Sequence, residues 1–258
     1  MIQKKLVKGL AEMNVIDSKN SIVVVSRYDE DISWTKELEK LGFECRIYEK
    51  ENPKSKYNIE KNMGNEASVY IKFIIDNYEN LPEYSILLHG HEFSWHSNKE
   101  NDSIVDLVKK EIGEKYEFKN LNDVMMTSWF LMSGVTEVRL SRLFRDWYKE
   151  YIEYEIGPLR NFGDFCVGFP CCAQFIVHKN TIMKREKKFY QKIYDWIMKE
   201  IILYGDDGTK PNGTAILVEY AWHLFWEQVP KKSQEVIRKE IKTYKKWKYL
   251  LLDHRKKK

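Results

Sequence analysis

The sequence predicts an α/β protein with a mainly parallel sheet flanked by helices. From residue 21 to about residue 88, short apolar runs alternate with segments of helical period, which is the order that βαβ units produce. The first run, Ser21-Ile22-Val23-Val24-Val25-Ser26, is apolar almost without a break, as a strand covered on both faces of a parallel sheet is. At 258 residues, 43% of them hydrophobic, the chain can bury a sizeable core. One domain over residues 1–258 is the simplest organisation, with its core at about 21–226.

The elements follow in order. Within an N-terminal segment, 1–20, residues 1 to about 18 carry Leu6, Leu10 and Met13 on one stripe and read as a short amphipathic helix. The first strand ends in the polar run Arg27-Tyr28-Asp29-Glu30-Asp31. Residues 33–41 take a helical period and stop at Gly42, and Glu44-Cys45-Arg46-Ile47-Tyr48 closes a β-α-β unit as a second strand. Polar residues 49–61 form a loop, after which Asn62-Met63-Gly64-Asn65-Glu66 leads into a helix carrying Ala67, Tyr70, Ile71, Phe73, Ile74 and Ile75. Leu81-Pro82 makes a turn before a third strand over 85–88. Residues 102–160 are mostly helical or irregular, 171–177 read as another strand and 187–202 as an amphipathic helix. Residues 214–226 read as a helix capped by Thr214, with Glu219 and His223 on one face at i and i+4.

A net charge of +4 on near-balanced acids and bases leaves no nucleic-acid footprint. The basic helical extension over 227–258 ends in KTYKKWKYLLLDHRKKK (242–258), which suits either a solvated end or peripheral contact with an anionic membrane. Cys45, Cys166, Cys171 and Cys172 lack CxxC spacing and read as reduced thiols of a cytoplasmic protein, Cys171 and Cys172 as packing residues. No apolar run reaches the roughly 18 residues that span a bilayer, and no segment resembles a secretory signal.

The sharpest chemical signal is Leu87-Leu88-His89-Gly90-His91-Glu92-Phe93-Ser94-Trp95-His96, which holds half of the six histidines within eight residues. Alternation along a strand would send His89 and His91 out on one face, with Gly90 letting a backbone or ligand approach between them. Paired imidazoles suit metal binding, proton transfer or phosphate contact. Parallel strands carry their ligands beyond their carboxyl ends, so residues 27–31 and 89–96 converge on one expected crevice.

Four stretches together resemble a domain-of-unknown-function family abundant in fungi, with viral members, that has glycosyltransferase-like features. They are VVVSRYDEDISW (23–34), NMGNEASVYIKFIIDNYENLP (62–82), LLHGHEFSWH (87–96), and CCAQFIVHKNTI (171–182) with VEYAWHLFW (218–226). Two positions depart from that pattern: Asp29 stands where asparagine is expected, and Asn65 where arginine is usual. The order is also similar to nucleotide-sugar-dependent glycosyltransferases of the GT-A fold, which implies a GT-A-like, Rossmann-like mixed sheet. In such enzymes a later strand ends in an aspartate pair that holds a divalent metal on the diphosphate, a place taken here by His89 and His91. Mn²⁺ and Mg²⁺ favour oxygen ligands, whereas paired imidazoles suit Zn²⁺, so both metal-dependent and metal-independent handling of the diphosphate stay open.

The resemblance implies transfer of a sugar from a nucleotide-sugar donor to a glycan or other hydroxyl acceptor, with inversion. It assigns Arg27, Tyr28, Asp31, Asn62, His89, His91, Trp95 and His96 to the donor, and Glu219 to the base with His223 beside it. The residues leave structural roles open too: Asp31 can cap a helix, and Glu219 with His223 can be a buried pair. Two other classes compete. A metal-dependent hydrolase would start from His89 and His91 and recruit His96, His178 or His223. A non-catalytic carbohydrate-binding protein would use Trp95, Trp129, Trp147 and Trp222 as stacking platforms.

Overall fold

The computed structural model describes residues 13–94, 102–122, 125–127, 135–157, 168–170, 173–203 and 212–226. Its contacts divide the chain into two compact units, residues 1–124 with 171–228, and residues 125–170 with 229–258.

In the first unit the β-branched run folds as β1 (Ser21–Arg27), followed by α1 (Thr35–Lys40) and β2 (Glu44–Lys50), which pairs parallel with β1. The expected β-α-β unit is therefore present. A two-residue strand, β3 (Asn58–Ile59), adds to the outer edge of β2 inside the stretch expected to be loop. α2 (Asn65–Asn77) carries the chain back, and β4 (Tyr84–His89) pairs parallel with the other edge of β1. α3 (Ile104–Glu111) and β5 (Phe118–Asn120) follow.

The second unit contains β6 (Met125–Thr127), α4 (Val135–Tyr151), α5 (Glu153–Ile156) and β7 (Gly168–Pro170), with β6 and β7 antiparallel. Trp147 is buried there beside Phe144, and the Tyr148 hydroxyl donates to the Gly157 carbonyl at 2.8 Å.

The chain returns to the first unit with β8 (Phe175–His178), which inserts antiparallel between β4 and β5. α6 (Lys179–Ile182), α7 (Lys187–Lys199), α8 (Gly213–Glu219) and α9 (Trp222–Phe225) complete it. The result is a mixed six-stranded sheet in the order β3-β2-β1-β4-β8-β5, flanked by helices.

Alternation along β1 and β4 divides the core between two faces. Val23, Val25, Tyr84, Ile86 and Leu88 cluster with Trp34 and Leu38 around α1, and with Ile104, Val105 and Val108 of α3. Val24, Leu87 and His89 have the opposite alternation and are also buried, on the face where α2 packs on β1 and β4 and meets α7 and α8. Each fully buried Ile or Phe in these layers contributes roughly 1.5–3 kcal/mol relative to exposure. Gly64, at φ 72°, starts α2 in the left-handed region, and a Cβ there would collide with the Ile197 side chain of α7. The glycine lets the helix start sit against its neighbour.

Two expected elements differ. The N-terminal helix falls partly outside the described residues, but residues 13–20 form bends and turns. Their backbone pairs with the loop after α3 instead of with itself: the Ile16 N–H donates to the Glu114 carbonyl at 2.8 Å, and the Gly113 N–H to the Ile16 carbonyl at 2.9 Å. The single helix expected over 214–226 is two, α8 and α9, separated at Tyr220-Ala221. Asn212, not Thr214, stands at its N-cap, without a side-chain hydrogen bond. Just past the break Trp222 stacks on Trp226 at 5.7 Å and meets Phe175, Phe225 and Tyr70 edgewise or tilted. Among the described residues no helix is long and apolar enough to cross a membrane.

Candidate functional site

β1 is the point at which the sheet changes direction. The chain leaves it for β2 on one side and returns to β4 on the other, and the carboxyl ends of β1 and β4, where Ser26 lies opposite His89, are where open α/β sheets place their ligand crevice. The loops leaving these ends are packed tightly together. A Cβ on Gly90 would stand 2.8 Å from the Ser26 carbonyl oxygen and 2.9 Å from the Glu30 carboxylate, so only glycine fits without a shift. The Trp34 indole N–H donates to the Gly90 carbonyl at 2.9 Å, and Glu30 accepts from the Tyr28 N–H at 2.6 Å.

Behind these loops lies a group of titratable side chains from four elements. His89 ends β4 buried, with Nδ1 4.0 Å from the carboxylate of Glu66 in the first turn of α2. Lys50 ends β2, also buried, and donates to the Asn65 carbonyl at 2.7 Å. Burial pulls the Lys50 ammonium down to about 8, against the opposing pull of Glu66, Glu30 and Glu51. Glu219 ends α8, which packs on α2. The residue keeps some surface exposure, and burial of its carboxyl first and the Glu66 charge second push that carboxyl up to about 7. A carboxyl there is divided between its two forms at neutral pH, which is what a group that takes and returns a proton requires.

The residues singled out from sequence are distributed unevenly over this site. Arg27 pairs with Glu49 and donates through Nε to the Glu30 carbonyl at 3.0 Å, tying the ends of β1 and β2 together. Tyr28 presents a half-exposed ring. Asp31 serves a local turn, accepting from the Ser33 N–H at 2.9 Å and the Ser33 hydroxyl at 3.1 Å, bonds that hold its pKa below the usual carboxylate range. Asn62 donates its backbone N–H to Glu51 at 3.3 Å.

His89 and His91 do not act as two prongs on one face. β4 ends at His89, so strand alternation stops there, and the exposed His91 lies with Nε2 3.8 Å from Glu30 while the buried His89 faces Glu66. Trp95 and His96 lie outside the described residues, as does the His223 side chain.

Lys50 and Glu66 were not singled out from sequence as site residues, and Glu30 was reached only as part of the run 27–31. Lys50 has the appearance of one more charge in the polar run Glu49-Lys50-Glu51, and only sheet packing buries it. Glu66 had a usable signal, an acid in the first turn of a helix beginning just after a left-handed glycine.

Among the described residues no three His, Cys, Asp or Glu side chains are grouped to hold a metal ion. His178 stands opposite Tyr84, at the far end of β4 from His89, with Nε2 3.5 Å from Glu83. Five residue steps of strand separate the two ends by roughly 16 Å, so His178 is no co-ligand of His89. Trp147 and Trp222 are core residues, and Trp129 lies outside the described residues.

Residues 22–246 match a family model described as "Protein of unknown function (DUF3431)", and the chain belongs to that family. No curated protein and no solved structure matches the chain.

Proposed function

We propose that the chain is a glycosyltransferase of GT-A-like architecture that moves a sugar from a nucleotide-sugar donor to a glycan or other hydroxyl acceptor, with inversion. The observation that carries the reading is Glu219: a carboxyl pushed up to about 7 on a helix, α8, that packs beside α2, in a mixed sheet whose β1, β2 and β4 run parallel. The order of elements supports it as well. A first strand ends in a polar motif at Arg27, a later one ends at His89, and a further strand and helix, β8 and α8, bring the carboxylate.

In this reading the acceptor oxygen attacks the anomeric carbon as its proton passes to the Glu219 carboxylate. The bond from that carbon to the diphosphate oxygen breaks, and its electron pair leaves with the diphosphate. Tyr28 offers its exposed ring to the nucleotide. No step is assigned to a metal ion. The free Cys45 thiol suits a reducing, cytoplasmic setting.

The test is a thermal-shift screen of UDP-, GDP- and TDP-sugars with Mn²⁺, Mg²⁺, Zn²⁺ or a chelator, followed by transfer assays on Glu219→Gln. Stabilisation by one nucleotide family, with transfer lost but donor binding kept in the variant, is the expected result. Full activity in Glu219→Gln removes the base assignment. Stabilisation by Zn²⁺ alone, with no response to any nucleotide, replaces the reading with a metal-dependent hydrolase.

A further inference from the structure

His178 is a buried titratable group that the transfer chemistry does not use. It closes β8 with 2% of its surface exposed, and its two ring nitrogens face different partners. Nδ1 accepts from the Asn180 N–H at 3.2 Å and so caps the first turn of α6. A ring nitrogen that accepts from a backbone N–H carries no proton, so the neutral imidazole has its hydrogen on Nε2. That atom stands 3.5 Å from the Glu83 carboxylate, without the geometry of a full hydrogen bond.

Glu83 in turn holds the chain ahead of β1. Its carboxylate accepts from the Asn14 N–H at 2.9 Å and from the Asn14 side-chain amide at 2.6 Å, while the Tyr84 hydroxyl donates to the Asn14 carbonyl at 2.9 Å. The Tyr84 ring meets the His178 ring edgewise at 5.1 Å. Backbone bonds from the Lys179 N–H to the Glu83 carbonyl, at 2.9 Å, and from the His178 N–H to the Glu117 carbonyl, at 3.1 Å, close the corner. The charged groups that act on the imidazole are Glu83 ahead of β4, Lys179 at the start of α6 and Glu117 ahead of β5, and Glu117 also pairs with Lys184 at 3.3 Å. Burial lowers the proton affinity of the ring below the ordinary 6.5, Lys179 adds to that, and Glu83 and Glu117 oppose it without overcoming it.

We propose that His178 is an acid-sensitive latch on the corner between β8 and α6, closed while the neutral ring caps the helix and opened when a proton binds Nδ1. The imidazolium carries hydrogens on both nitrogens, so Nδ1 and the Asn180 N–H then meet donor to donor and the cap is lost. A histidine whose proton affinity is depressed in the fold contributes its stabilisation in full above pH 6.5 and loses it as pH falls, because the opened corner binds the proton more readily. Opening becomes more favourable by as much as about tenfold per pH unit, until the closed form is itself protonated. Glu219 acts in the opposite sense between 4.5 and about 7, since acid relieves its buried charge, so the latch is read locally and not from overall melting. The corner lies at the far end of β4 from His89, and the latch does not depend on the glycosyltransferase reading.

The experiment is hydrogen exchange of the full chain between pH 7.5 and 5, read by mass spectrometry and corrected for the intrinsic chemical rate, on wild type and His178→Asn. The asparagine side-chain oxygen can cap the same N–H and does not titrate. Wild type is expected to lose protection at residues 178–183 by about three- to tenfold as the pH falls, while the variant keeps its protection. Nitrogen-15 NMR of the wild-type ring gives a second readout that does not depend on the variant folding: a proton on Nε2 alone at pH 7.5, with Nδ1 gaining one over the range in which protection falls. A proton on Nδ1 at pH 7.5, or wild-type protection unchanged down to pH 5, overturns the latch. So does an equal acid response in His178→Asn, or a loss spread evenly over the whole sheet.

Discussion

Replacing Glu219 with glutamine should change how the stability of this protein depends on pH, and by an amount the structure specifies. The carboxyl moves from an ordinary 4.5 to about 7 in the fold, first because burial disfavours its charge and second because Glu66 lies nearby. Below about pH 4.5 the group is protonated in both folded and unfolded chains, and it contributes no linkage term. As pH rises toward 7 the unfolded chain releases this proton while the folded chain still holds it, so wild-type stability falls across that window. Above 7 the full cost of the buried charge is present. At 1.36 kcal/mol per tenfold change in proton affinity the cost is about 3 kcal/mol, an upper bound because the residue keeps some surface exposure. Glu219→Gln keeps the shape and removes the titration. Its melting temperature relative to wild type should therefore rise between pH 4.5 and 8 by up to about 6–12 °C, taking about 2–4 °C per kcal/mol for a chain of this size. Differential scanning calorimetry of both proteins from pH 4 to 9 measures it. Melting curves that stay parallel over the whole range would refute the argument that Glu219 is a carboxyl of raised proton affinity.

Two further outcomes follow from local geometry. Gly90→Ala forces a Cβ against the Ser26 carbonyl and the Glu30 carboxylate, so the loops at the crevice must separate; a loss of about 1–3 kcal/mol in urea unfolding is expected, and an unchanged midpoint would show that the loops are not closely packed. Burial pushes the Cys45 thiol up to about 12, so site-resolved mass spectrometry should find it slow to alkylate at pH 8 in the native protein and fast in urea; rapid native labelling would contradict its enclosed position.

Much of the fold was readable along the chain. The β-branched run became β1, the period over 33–41 became α1, the apolar stripe from Ala67 to Ile75 became α2, and the pre-histidine run became β4. These are the cases in which one local signal, alternation or the 3.6-residue period, agrees with the tertiary layer that covers it. Where the two disagreed, packing decided. The helical period from Thr214 to Trp226 was real, but the fold divides it into α8 and α9. The stripe of Leu6, Leu10 and Met13 continued into residues whose backbone is paired to the loop after α3.

The candidate site divides along the same line. By itself the sequence determined the parallel β-α-β start and the polar ends of the strands at Arg27 and His89, because each depends on neighbours a few residues away, whereas Glu219 was read inside one helix over 214–226 and stands at the end of α8. Only the tertiary structure decided which charges are buried and which of them meet. Lys50, Glu66, His89 and Glu219 come from β2, α2, β4 and α8, and sequence spacing carries no information about desolvation or about a charge more than a hundred residues away. The proton affinities of Glu219 and Lys50 are set by that burial, which exists only once the sheet and its helices have closed around them.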